Sequence, residues 1–170
     1  MTDNQLANTG GAAEFYTSHN IWYEHANRIW SINYKKGVII PAGTCVTGVN
    51  LSGGRSPRLD FSVEETGLRC SVFIQPKFHP GVSPSQYSSR MLTPANLAQL
   101  TEGFGEDELE CVQVGTIKPG ISKKACLVAY GYPPEHFTPS LDANRWYYWV
   151  NRFMKKELVF DQDDRTVSGI

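Results

Sequence analysis

The chain has 170 residues, enough to withdraw roughly 70% of its unfolded surface from water and to hold a core without metal or disulfide staples. Its 16 basic and 17 acidic residues leave a net charge of −1, which denies it the cationic surplus a nucleic-acid binder needs. A hydrophobic fraction of 41% with 19% charged residues excludes disordered and fibrous classes. No run of about 18 apolar residues occurs, so no transmembrane segment is expected.

Residues 1–13 are polar and rich in Gly and Asn, a composition that does not repay ordering, and read as a flexible tail. They lack the basic and apolar regions of a leader and the cysteine of a lipid anchor. A lipid anchor would therefore require a leader already removed, and without one the expected location is cytoplasmic. Residues 14–80 read as an antiparallel β-lobe. Apolar residues alternate or form short β-branched runs from Ile21 to Ile74, separated by Pro41-Ala42-Gly43, by Ser52-Gly53-Gly54-Arg55-Ser56-Pro57 and by Glu64-Glu65-Thr66-Gly67.

The period changes over residues 81–117, a helical connector. Ser83-Pro84-Ser85-Gln86 combines an N-cap serine, a first-turn proline and a capping-box glutamine, and predicts a helix from Pro84 to about Leu92. Thr93-Pro94 repeats the cap-then-proline signal ahead of Leu97 and Leu100, which share a face. Glu106, Asp107 and Glu108 would open a third helix, where the dipole favours anions, and Gly115 would end it. Within residues 118–170, Ser122 caps a helix over Lys123–Tyr130 that Gly131 stops. After a loop holding three prolines, the runs Arg145–Arg152, Glu157–Asp161 and Thr166–Ile170 predict an antiparallel meander. The fold class expected is α+β: an N-terminal β-lobe, a helical middle and a C-terminal helix on a small meander.

The stretch from Gly120-Ile121-Ser122 through Tyr130-Gly131-Tyr132-Pro133, followed by Trp146-Tyr147-Tyr148-Trp149 and Leu158-Val159-Phe160-Asp161, resembles the SmpA/OmlA (BamE-like) family of small outer-membrane lipoproteins. The resemblance covers about a third of the chain. Ile121 stands where the family has methionine, Cys126 lies beside its usual valine position, and the 134–144 loop is long for it. The resemblance implies a scaffold role at the periplasmic face of a bacterial envelope, through contact with an envelope protein or a cell-wall-associated component. It supplies no catalytic residues.

The residues themselves offer no hydrolytic or metal signature. His19, His25, His79 and His136 are scattered, and no cysteine or histidine spacing suits zinc. No enzyme activity, cofactor or metal is expected. The four cysteines read as small buried hydrophobes; in an oxidising compartment Cys45 with Cys70 is the pair to test, both falling in strands expected to be neighbours. In a strand, Trp146 and Tyr148 face one way and Tyr147 and Trp149 the other, so one pair can pack under the helix while the other either packs into the core as well or stays outside as a binding face. The stiff loop can present His136 and Phe137. The candidate binding residues are Trp146, Trp149, Tyr147, His136, Phe137 and Arg145, with Trp22, Tyr23 and Trp30 either enlarging that face or sealing the lobes. The alternative is an enzyme inhibitor or small-ligand-binding protein with a cleft between the lobes.

Overall fold

The computed structural model describes residues 14–170; the tail expected over 1–13 lies outside the described residues. The molecule is α+β, with a six-stranded mixed half-barrel sheet, four helices in the middle and a C-terminal two-stranded hairpin. The sheet uses β1 (Phe15–Thr17), β3 (Ile29–Trp30), β5 (Cys45–Ser52), β6 (Arg58–Val63), β7 (Arg69–Phe73) and β8 (Leu92–Thr93), in the order β3-β7-β6-β5-β1-β8. All neighbours are antiparallel except β3 and β7. Strict alternation explains which side is wet: Leu59, Phe61 and Val63 of β6 and Cys70 and Val72 of β7 point inward, while Arg58, Asp60 and Arg69 do not.

A separate pair, β2 (Ile21–Tyr23) and β4 (Val38–Ile40), forms the wall between two cores. Ile21 and Ile40 join the β-lobe core, whereas Trp22 joins the core built on the helices and hairpin, with Ile39 packed against it. The period of two thus lets one ribbon serve both sides. Asn20, just before β2, is buried with every side-chain group engaged: Nδ2 donates to the Val112 and Ala129 carbonyls and Oδ1 accepts from Ala42 N–H. Trp22 accordingly seals the lobes, packing edge-on against Tyr130.

The helices are α1 (Pro84–Met91), α2 (Leu97–Leu100), α3 (Glu106–Val114) and α4 (Lys123–Tyr130). Ser83 and Gln86 close the capping box of α1, Ser122 caps α4, and Gly115 at φ +76° ends α3 in the left-handed region. The second start signal is displaced. Thr93 belongs to β8, where Tyr16 pairs with it across the sheet, and Asn96 caps α2 by accepting from Gln99 N–H. Thr93 Oγ1 still accepts from Ala95 N–H, but its backbone pairs in the sheet, so the helix starts three residues later.

β9 (Arg145–Trp149) and β10 (Lys155–Val159) form a hairpin in place of the expected three-stranded meander. The segment after Asp161 makes one bridge to it, Phe160 to Thr166. Its remaining polar groups are taken by the approach to α4: Thr166 N–H donates to Ile121 O, Ile117 and Ile170 exchange backbone bonds, and Thr166 Oγ1 accepts from Ile121 N–H. Cys45 and Cys70 sit in β5 and β7, which are separated by β6, and the cysteines Cys45, Cys70, Cys111 and Cys126 are free thiols. No helix among the described residues is long and apolar enough to cross a membrane.

Candidate functional site

The proline-rich segment after α4 joins two features, an aromatic face outside and a polar cleft inside. Gly131, at φ +85°, begins the segment; a Cβ there would lie 3.0 Å from His19 Nδ1, so the chain turns closely past the β-lobe only as glycine. His136 N–H then donates to Phe78 O, and Thr138 Oγ1 accepts from Tyr147 N–H, laying the segment across β9.

On the outside, alternation in β9 separates its aromatics as expected. Trp146 and Tyr148 are buried in the core, with Tyr148 OH donating to Gly131 O, while Tyr147 and Trp149 are half-buried on the other side. Trp146 is wholly buried, packed on Phe160, so of the six sequence candidates it is the one a partner does not reach. His136 stacks on Trp149 with a 12° interplanar angle at 6.0 Å, and Phe137 meets Trp149 edge-on at 5.6 Å. Phe137 is 41% exposed, a large apolar ring presented to solvent. Lys155, opposite Trp149 in the hairpin, holds its Nζ 3.9 Å from the Phe137 ring centroid. Arg145 lies at the far end of the same face, paired with Glu157. Burial pushes the His136 pKa below its ordinary value, so the ring is neutral at pH 7.

This face has an uncompensated cationic rim. Lys155, Lys77 over Phe78 and Arg152 over Phe153 pair with no carboxylate among the described residues. At the hairpin tip, Asn151 Oδ1 accepts from the N–H groups of Phe153 and Met154, a turn that leaves both side chains exposed.

Inside, a cleft between the lobes is lined by His19, Ser31, Lys35, His79, Tyr132 and Glu135, among others. Its interior of about 20 Å³ has room for one ordered water. His79 is held from both sides: Nδ1 lies 2.8 Å from Glu135 Oε2 and Nε2 lies 2.9 Å from Ser31 Oγ. Arg90 of α1 engages the other oxygen of Glu135. Burial works against ionising Glu135, but the His79 hydrogen bond and the Arg90 charge outweigh it and hold the carboxyl below its usual range. Lys35 is half-buried, its Nζ 4.4 Å from the Trp22 ring centroid and 3.2 Å from Asn33 Oδ1, and burial pulls its pKa down to about 7. Burial likewise lowers His19 to about 4, so it is neutral.

Sequence spacing does not reveal this cluster, because Ser31 and His79 are 48 residues apart and His79 and Glu135 are 56. Among the described residues, no group of three or more His, Cys, Asp and Glu side chains is placed to hold a metal ion. The fold and site define an α+β protein with a cationic aromatic face and a buried polar junction. No family model, curated protein or solved structure matches the chain.

Proposed function

We propose that the protein is a binding or scaffold module of the bacterial cell envelope, acting through protein contact at the face formed by Phe137, His136, Tyr147 and Trp149. The observation that carries this reading is the exposed Phe137 ring held against Trp149 under the ammonium of Lys155. Rigid aromatics lose little entropy on contact and dominate interface energetics, so a preformed cluster of this kind suits an anchor site. The envelope location rests on the resemblance of residues 118–170 to the BamE-like family. The unpaired Lys77, Arg152 and Lys155 favour a partner segment that is acidic beside its apolar anchor, since complementary charge steers docking and excludes like-charged competitors.

The test is a fluorescence-anisotropy titration with a labelled short peptide of alternating Glu and Phe, and with a Lys/Phe peptide as control. Saturable binding of the acidic peptide alone, weakened about tenfold by Phe137→Ala and by Lys155→Glu, supports the reading. Equal binding of both peptides, or binding unmoved by either substitution, contradicts it. If Phe137→Ala weakens binding and Lys155→Glu does not, the aromatic face stands and the acidic partner does not.

A further inference from the structure

We propose that Ser31 is a nucleophile activated by His79 and positioned through Glu135, and that the inter-lobe cleft accepts small carboxylic esters. This goes beyond the binding role and departs from the sequence expectation of no catalysis.

The argument begins with proton placement. Glu135 is ionised and held by Arg90, so it only accepts, and the proton between it and His79 sits on Nδ1. The backbone N–H of Gln75 donates to Ser31 Oγ at 2.9 Å. With that proton on Nδ1, Nε2, 2.9 Å from Ser31 Oγ, is the ring nitrogen placed to accept the hydroxyl's hydrogen. The arrangement has a hydroxyl poised to lose its proton, a base in the correct tautomer and a carboxylate that orients the base, in the order nucleophilic catalysis needs. Tyr87 reinforces it by donating to Ser31 O, fixing the backbone that carries the nucleophile.

The cleft selects for small acyl groups. Ser31 is 4% exposed and the interior holds about one water, so only the smallest acyl groups, formyl or acetyl, can bring their carbonyl carbon to Oγ from the mouth, with the alcohol portion outside. Lys35, which has no carboxylate partner among the described residues, lines the same space and offers Nζ as a hydrogen-bond donor to the oxygen that becomes anionic. In the first step Ser31 Oγ bonds to the carbonyl carbon while its proton passes to His79 Nε2. The ester C–O bond then breaks and the leaving alcohol takes that proton. Water next attacks the acyl-serine, giving a proton to Nε2 that returns to Ser31 Oγ as the acid departs. The sum is ester plus water to acid plus alcohol.

The full chain is treated with methanesulfonyl fluoride and mapped by mass spectrometry, and its hydrolysis of p-nitrophenyl acetate is followed in parallel. The expected result is a single sulfonyl adduct at Ser31 and p-nitrophenol release that falls about 100-fold in Ser31→Ala. Glu135→Gln should slow both readouts about tenfold and Glu135→Asp should recover part of the loss, which a merely structural Glu135 would not produce, each variant first shown folded by circular dichroism. No adduct at Ser31 on the folded wild-type chain, or ester hydrolysis retained in Ser31→Ala, overturns the proposal. The wild-type labelling decides even if a variant fails to fold. Ser31→Ala is also expected to leave acidic-peptide binding unchanged, which separates this site from the aromatic face.

Discussion

Replacing Glu135 by Gln removes one charge from the junction of the lobes while conserving volume. The carboxylate is 13% exposed and bonds His79 at 2.8 Å and Arg90 on its other oxygen. Hydrogen bonds to charged groups contribute about 1.5–3 kcal/mol when buried, and the half-open Arg90 side discounts its share, so the expected loss is about 2 kcal/mol at pH 7. For a chain of this size that is about 4–8 °C in Tm, or about 1 M in urea midpoint at an m-value of about 2 kcal/mol/M. The sign of the pH effect follows from the depressed folded pKa of Glu135. Its contribution is fully present above the ordinary carboxylate value of 4.5 and is lost as pH falls through the lower folded value. Urea unfolding of wild type and Glu135→Gln at pH 7 and below pH 4 should therefore show a gap that narrows on acidification. A gap under about 0.5 kcal/mol at pH 7, or one that widens in acid, would refute the account of the junction.

Leu158→Ala, at a fully buried site of the hairpin core, should cost about 2–5 kcal/mol in denaturant unfolding. Gly131→Ala should cost at least about 1 kcal/mol by the same assay, since it puts a Cβ at positive φ against His19. Tyr148→Phe, which strips the hydroxyl from the Gly131 carbonyl, should cost about 1 kcal/mol. Titration with Ellman's reagent should find four thiols in denaturant and only slow reaction of Cys45 in the folded state, because Cys70, Cys111 and Cys126 are buried and a hydrogen bond with Glu64 pushes the Cys45 thiol up to about 11.

Much of the fold is legible locally because its decisive interactions are local. Ser83 with Gln86, Ser122, Gly115 and Gly131 mark helix ends through bonds spanning a few residues, and the alternation of Trp146 to Trp149 sorts one strand into two faces. The departures occur where distant groups compete. Thr93 joins a strand beside Tyr16 and leaves the helix start to Asn96, and the last segment bonds residues 117–121 instead of extending the hairpin. The aromatic face is visible in sequence because β9 and the proline-rich loop are adjacent in the chain. The Ser31, His79 and Glu135 cluster is not, because it forms only when the β-lobe, the turn before α1 and the same loop converge.

The most direct test of the binding role is to place a photo-crosslinking phenylalanine analogue at position 137 in the native host, with Val114, also exposed, as a control site. The account predicts one discrete protein adduct from position 137, absent from position 114 and lost with Trp149→Ala in a folded chain. No adduct, or the same adducts from both positions, would contradict it.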